Sequence, residues 1–364
     1  MGYRGSKSAL CGSFAVKEQR ADGNWYPSKR YLRCALMGGE SYYQVRFLSK
    51  QLKLTKLFFS TVSEKTPQLN PYFVTGFCDG ESSFQVSIFK NKNLKLGVRA
   101  QFTIGLNSRD LALLLQIKEF FGCGIIVKND PQSEISFRVN SLQDLTNIII
   151  PHFLKYPLLA QKAADFYLFK QVTELMKNKA HLKTEGIKEI INIKASMNLG
   201  LSDELKSNFI NTVPVQRPTI KTTNIPDSNW ISGFVSGEGN FFVDIFKSNS
   251  NKIGFQVKLR LSITQHSRDK ELLELIVKNL TAGIVNIHSE NAFVFKISKL
   301  VDIIQKIIPL FEQNPIRGVK KLDFLDFCEV AKLMNEGKHL TTEGLDLIRT
   351  IKNKMNTKRK YNND

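Results

Sequence analysis

Two carboxylates in this chain occupy matched positions. Glu81 closes the stretch Val74-Thr75-Gly76-Phe77-Cys78-Asp79-Gly80-Glu81-Ser82, and Glu238 closes Ile231-Ser232-Gly233-Phe234-Val235-Ser236-Gly237-Glu238-Gly239. Each follows an apolar segment with two glycines four residues apart, so Gly76 and Gly80 share one helical face, as do Gly233 and Gly237. A glycine costs a helix about 1 kcal/mol relative to alanine; close approach of two helix backbones offsets that cost. Packed along those faces, the two helices deliver Glu81 and Glu238 to one point. Carboxylates that close repel unless a cation lies between them, and hard divalent cations take oxygen ligands. One copy alone reads more simply as a helix-packing motif with an exposed acid. Two copies, each followed by the same downstream pattern, favour a shared metal-binding, catalytic site.

The elements that position these acids are legible from caps and periodicity. Asn70-Pro71 supplies an N-cap followed by proline at the first helical position, and Asp227-Ser228 plays the same part before Trp230. After Glu81, residues 83–89 alternate with period two, as do 98–106, which predicts two strands with one buried face each. Ser108 reads as the cap of a helix over 109–121, stopped by Gly122. A hairpin is expected at 125–128 and 135–140, then helices near 141–155, 160–178, 184–198 and 202–210. The pattern then restarts. Ser267-Arg268-Asp269 repeats Ser108-Arg109-Asp110, Ile307-Ile308-Pro309 repeats Ile149-Ile150-Pro151, and Met355-Asn356 repeats Met197-Asn198. His339-Leu340-Thr341-Thr342-Glu343-Gly344 answers His181-Leu182-Lys183-Thr184-Glu185-Gly186 in the same way. A tandem duplication predicts an α+β fold: two pseudo-twofold-related units, each an antiparallel sheet backed by helices, with the acid-ended helices at their interface. The expected division is a leader over 1–66, partly disordered, a first unit over 67–210, a linker over 211–227, a second unit over 228–356 and a basic tail over 357–364.

Composition narrows the partner. The 364 residues carry 52 Lys and Arg against 33 Asp and Glu, a net charge of +19, which suits a polyanion, nucleic acid first. The five cysteines show no paired spacing, so neither a disulfide scaffold nor a zinc ribbon is expected. No run of about 18 apolar residues occurs, and no spanning helix is expected.

The outer faces of the strands agree with the charge. The first unit offers Ser83, Gln85, Ser87, Arg99, Gln101, Thr103, Ser136 and Arg138; the second offers Asn240, Asp244, Gln256, Lys258, Arg260, Ser262, Thr264 and Lys296. These side chains suit base edges and phosphates, and the major groove admits a β-ribbon. An ordinary solvated sheet face is the plainer reading of the same residues. Strands of about 25 Å would cover roughly seven or eight base steps each. Two units would cover on the order of 15–20 base pairs, and because their residues differ the duplex site should be asymmetric. Two acids, one for each strand, imply double-strand cleavage by metal-assisted hydrolysis.

Residues 74–82 and 231–239 resemble the two signature helices of single-chain LAGLIDADG homing endonucleases, most of all the group encoded in fungal mitochondrial introns, and the likeness runs over roughly 70–360. The leader stretch Val16-Lys17-Glu18-Gln19-Arg20-Ala21-Asp22-Gly23-Asn24-Trp25 is similar to leaders of such reading frames. The resemblance implies two sheets arched over duplex DNA, a monomer, a mitochondrial setting and a magnesium cofactor, with other divalent cations as substitutes. It implies Glu81 and Glu238 as catalytic acids, Gly80 and Gly237 as donors of backbone carbonyls to the metals, and Gln101 and Lys258 as polar groups flanking the site. Three departures stand out. Ser82 replaces the usual glycine, Ser236 replaces the commoner aspartate answering Asp79, and Asn286 stands where a basic residue is expected on the third strand. An intron-RNA maturase and a non-catalytic DNA-binding protein remain the competing functions on the same scaffold.

Overall fold

A computed structural model describes residues 68–90, 96–129 and 134–359. The leader expected over 1–66 lies outside the described residues, as does the tail beyond 359. The first half opens with α1 (Pro71–Glu81), capped by the Asn70 side chain, which accepts from Tyr72 N at 2.8 Å. Proline at its first position lacks only an amide that the helix could not use. Strands β1 (Ser82–Lys90) and β2 (Leu96–Asn107) come next, then α2 (Leu111–Phe121), β3 (Ile125–Asn129) and β4 (Glu134–Val139). The second half repeats this as α7 (Ser228–Glu238), β5 (Gly239–Lys247), β6 (Phe255–His266), α8 (Lys270–Leu280), β7 (Ile284–Ser289) and β8 (Ala292–Ile297). Each half forms an antiparallel four-stranded sheet, in the orders β1-β2-β4-β3 and β5-β6-β8-β7.

Two details differ from the sequence expectation. Ser108 does not cap α2 but opens a 3-10 turn before it, Ser108–Asp110, and that turn is capped by Asn107, whose side chain accepts from Arg109 N at 3.2 Å. The helix over 141–155, α3, is not uniform: Leu142–Asp144 and Ile150–Lys155 flank a π-helical turn, Leu145–Ile149. Pro151 explains the widening. It has no amide for the carbonyl four residues back and its ring crowds that carbonyl, so the Ile150 amide reaches to Leu145 O instead. The repeated Ile-Ile-Pro produces the same turn, Ile303–Ile307, in α9 (residues 300–313).

Helices α4 (Lys162–Lys177) and α5 (Thr184–Ala195) back the first sheet, and α10 (Lys320–Asn335) and α11 (Thr342–Lys352) back the second; a short α6 (Asp203–Asn208) precedes the linker. Each core is built on one phenylalanine of the first strand. Phe84 meets Phe102, Phe153, Phe166 and Phe169 at 5.2–5.5 Å between ring centres, and Phe241 meets Phe311, Phe324 and Phe327.

The Met-Asn repeat closes each half. Met197 and Met355 are buried, and Asn198 and Asn356 turn the chain with left-handed φ of 48° and 56°. Their side chains then donate to Phe84 O at 2.8 Å and Phe241 O at 3.1 Å, covering the outer edges of β1 and β5. A matching arginine secures the chain beyond each asparagine. Arg217 of the linker donates to both carboxylate oxygens of Asp165, and Arg359 donates to Asp323 and Asp326.

The two halves meet along α1 and α7. A Cβ on Gly76 would lie 2.0 Å from Trp230 O, and one on Gly233 would lie 2.0 Å from Phe73 O. Backbone faces backbone there, and no side chain can yield. Gly76→Ala or Gly233→Ala should therefore destabilise the protein by about 3 kcal/mol or more, read as a lowered midpoint in urea unfolding. Alanine at Gly122, where nothing lies within 4 Å but φ is +65°, should cost only about 1 kcal/mol.

His152 on α3 gives a pH dependence. The Thr75 hydroxyl donates to Tyr156 O at 3.1 Å, so the neutral His152 ring carries its proton on Nε2 and donates to Thr75 Oγ1 at 3.1 Å. Burial among Phe120, Phe121 and Phe153 lowers its pKa from 6.5 to about 4. The unfolded ring takes up a proton below about 6.5 while the folded ring stays neutral, so this contribution is complete above pH 6.5 and is lost as pH falls towards 4. Its upper size is about 3 kcal/mol. Unfolding of His152→Gln followed between pH 7 and 4.5 should show a shallower loss of stability than the parent.

Candidate active site at the helix crossing

Glu81 and Glu238 are the last residues of α1 and α7, and each lies over the other helix's second glycine. An added Cβ on Gly80 would meet Glu238 Cγ at 3.0 Å, and one on Gly237 would meet Glu81 Cγ at 3.1 Å. The first glycine of each pair lets the backbones touch; the second leaves room for the opposing glutamate. Both acids are half-buried. Burial, and the charge of Glu238, raise the Glu81 pKa above its ordinary value, while Lys320 and Lys162 pull it back. Glu81 lines a cleft of about 580 Å³ together with Leu106, Asn107, Asp110, Glu134, Asn240 and Lys320.

Two lysines that no sequence motif marks complete the crossing. Lys162, the first residue of α4, donates to Cys78 O at 3.0 Å and Gly80 O at 2.8 Å; Lys320, the first residue of α10, donates to Gly237 O. Burial lowers both ammonium pKa values, and the carboxylates around them, Glu81 and Glu238 included, oppose that shift. The carbonyls expected to face metals thus already accept a lysine proton each, with one lone pair apiece remaining. The available signal was a lysine at the same place in both repeats, hidden among 52 cationic side chains.

Asp79 and Ser236, the unequal pair of the motif, do different work. Asp79 accepts from Leu159 N at 2.9 Å, Ala160 N at 3.1 Å and Trp230 Nε1 at 2.8 Å, so it ties the entry of α4 to the opposing helix α7. Burial raises its pKa to about 6. Ser236 donates to Ser232 O and accepts from Arg317 N at 3.1 Å, both within its own half. Ser82 leaves α1 in extended conformation and its hydroxyl donates to Cys78 O at 2.7 Å, so the serine that stands in place of glycine closes the helix end without strain.

The register places the strand residues. Ser83 pairs with Thr103, Gln85 with Gln101 and Ser87 with Arg99, all outward; Thr103 pairs onward with Arg138. In the second half Asn240 pairs with Ser262, Asp244 with Lys258 and Phe246 with Gln256, and Lys296 lies opposite Ser262. Thr264 faces outward opposite Val294. Ser262, at 5% exposure, is closed off from the surface. Two arginines are held in place: Arg260 bonds Asp244 Oδ2 at 3.1 Å and lies 4.5 Å over Phe242, and Arg99 lies 5.2 Å over Phe89.

Gln101 and Lys258 do not reach the cleft. Gln101 is three pairing steps beyond Ser82 and Lys258 five beyond Gly239, or roughly 10 and 17 Å along the strands. Nor do they match each other, since the counterpart of Gln101 at step three is Arg260. Asn286 lies on edge strand β7, opposite Val294. The cations expected on the strands are instead supplied by helix N-termini about eighty residues after each glutamate. Among the described residues, no three His, Cys, Asp or Glu side chains converge to hold a metal. A cation at the crossing would have the two carboxylates and neighbouring carbonyl oxygens to draw on.

The family model for LAGLIDADG endonuclease matches residues 74–173 and 231–331. Probable intron-encoded endonuclease 3 of Neurospora crassa is 42% identical over 369 residues, covering 96% of this chain and 68% of that protein. Probable intron-encoded endonuclease 2 of the same fungus is 42% identical over 301 residues, covering 79% and 65%. The chain thus spans about two thirds of the length of these two relatives. Among solved structures, the I-SmaMI LAGLIDADG homing endonuclease bound to cleaved DNA is 43% identical with a TM-score of 0.78, covering 80% of this chain and 98% of that one. I-SmaMI bound to its uncleaved DNA target in the presence of calcium ions is 44% identical, with a TM-score of 0.77 and coverages of 79% and 99%. The duplicated acid-ended helices, the paired four-stranded sheets and these matches together establish that the chain belongs to the LAGLIDADG endonuclease family.

Proposed function

We propose that this DNA endonuclease hydrolyses one phosphodiester bond in each strand of a long asymmetric duplex site, with Glu81 and Glu238 as the acids of a metal-assisted site. The observation that carries this reading is the crossing of α1 and α7, which seats each glutamate over the other helix's glycine beside a half-buried lysine. The units over 67–210 and 228–356, joined by 211–227, would each lay a polar sheet face in the major groove. Arg99, Arg138, Lys258, Arg260 and Lys296 are the cationic members of those faces. The reading includes a mitochondrial setting, supported by the resemblance to intron reading frames.

The donors suit magnesium: two carboxylates and the free lone pairs of Gly80 and Gly237 carbonyls are all hard oxygen, and water and phosphate oxygens complete such a shell. When bound, divalent ions supply an activated water and offset charge on the scissile phosphate. Glu81 and Glu238 would hold those ions at the crossing, and the Asn107 and Asn240 side chains line the cleft. Lys162 and Lys320, fixed on carbonyls in the last turns of α1 and α7, would place positive charge beside the phosphates, where it stabilises the developing negative charge of hydrolysis.

Glu81→Gln and Glu238→Gln should each reduce double-strand cutting on the order of 100-fold or more, with affinity for the duplex in calcium held within a few-fold. Incubation with a library of duplex sites in magnesium, sequencing the ends, identifies the target; full cutting by either variant would sink the acid assignment. EDTA should abolish cutting and added magnesium restore it. Lys162→Met and Lys320→Met should lower the single-turnover rate on the order of 10–100-fold with little change in binding. Unaltered rates in both would remove the lysines from the mechanism.

A further inference from the structure

The two aspartates of the repeated Ser-Arg-Asp turns do not serve the helices that follow them. No side-chain capping bond runs from Asp110 to α2 or from Asp269 to α8. Each reaches across the interface instead. Asp110 Oδ1 accepts from Val319 N at 2.7 Å, and Asp269 Oδ1 accepts from Gln161 N at 2.7 Å. Val319 and Gln161 are the residues immediately before Lys320 and Lys162, at the starts of α10 and α4. Two bonds of equal length, related by the internal pseudo-twofold, thus join the end of each half's second strand to the helix presenting the other half's lysine.

The surrounding chain is shaped to admit this contact. Gly318 has a φ of +71°, and a Cβ there would stand 2.5 Å from Asp110 Oδ1, so the turn before Val319 is open only because it is glycine. Asp269 is 6% exposed and has Arg268 Nε at 3.6 Å from its other oxygen. A lysine in the first turn opposes the positive end of its own helix dipole. A carboxylate on the preceding amide favours that end and satisfies a donor the helix cannot. The aim of each ammonium, onto Gly80 O or Gly237 O, then depends on a group in the opposite half.

We propose that Asp110 and Asp269 are positioning residues acting across the interface, Asp110 for Lys320 and Asp269 for Lys162, so that each half of the protein sets the lysine of the other. This rests on the reading that the two lysines assist cleavage. Because Asp110 and Asp269 close the 3-10 turns that follow β2 and β6, seating of one half's sheet on DNA bears on the lysine of the other half, which couples the two strand cuts.

The test uses the full chain and its selected duplex site, with each strand end-labelled separately and cut under single-turnover conditions in magnesium. Asp110→Ala should slow one strand about tenfold or more, the same strand that Lys320→Met slows, and Asp269→Ala should slow the strand that Lys162→Met slows. Affinity in calcium should stay within about threefold, placing the loss in the cutting rate. The double variant Asp110→Ala/Lys320→Met should be no slower than Lys320→Met alone, since both act on one group. Asp110→Asn keeps an acceptor oxygen at the same reach and should restore most of the rate. Asp110→Ser, whose hydroxyl falls short of Val319 N, serves beside the alanine variant where removal of the carboxylate costs the fold, and should behave like it. Equal slowing of both strands by each aspartate variant, multiplied effects in the double variant, or an asparagine variant as slow as alanine would overturn the proposal. If neither lysine variant slows a strand, the lysine reading fails, and that result is distinct from a failure of the aspartates.

Discussion

Backbone contact between α1 and α7 is the constraint on which the rest depends. With Gly76 against Trp230 O and Gly233 against Phe73 O, the helices approach more closely than any side chain would allow. Close packing is unforgiving of one extra carbon. It is also directional, because two touching helices fix the relative position of everything attached to their ends. The acids stand at one end of each helix and the first strand of each sheet begins at the next residue. One contact therefore sets both the distance between the carboxylates and the placement of the two sheets.

The site that results brings like charges together and then moderates their repulsion. Burial and the charge of Glu238 raise the cost of ionising Glu81, and Lys320 and Lys162 lower it. The lysines are themselves held in surroundings that disfavour their charge. Burial disfavours the charged form of Glu81 and of both lysines, an arrangement that accords with the proposed site for divalent cations and phosphate. Backbone anchors the groups around the glutamates: helix carbonyls hold the lysines, amides at the entry of α4 hold Asp79, and amides of the opposite half hold Asp110 and Asp269.

Duplication without identity gives this protein its asymmetry. The bond from Trp230 to Asp79 crosses the interface in one direction, with Ser236 keeping to its own half. The outer faces of the sheets diverge further. Arg260 is braced by both Asp244 and Phe242, whereas Arg99 lies over Phe89. Shared residues are those that build the scaffold, such as the Ile-Ile-Pro turn, the Met-Asn closure and the paired glycines. Divergent residues face outward, where the proposed asymmetric duplex would meet two different surfaces.

The sequence by itself determined the elements and their duplication. Period-two alternation located the first two strands of each half because one face must be apolar, and the spacing of glycines in matched copies marked the helix pair and the convergence of Glu81 and Glu238. Those signals are local, written in neighbouring residues. What only the tertiary structure decided were the partners supplied by distant chain. Lys162 and Lys320 arrive at the glutamates from helix starts about eighty residues away, and no periodicity distinguishes them from the other cations. Gln101 and Lys258 fell short of the cleft for a related reason: a strand's alternation fixes which face a residue takes, while only cross-strand pairing fixes how far along it stands. Asp110 and Asp269 stood in the sequence only as parts of the repeated Ser-Arg-Asp turns, and the fold directs them across the interface. Hydrogen-bonding capacity is a property of the residue; which amide meets it depends on where packing brings the other half.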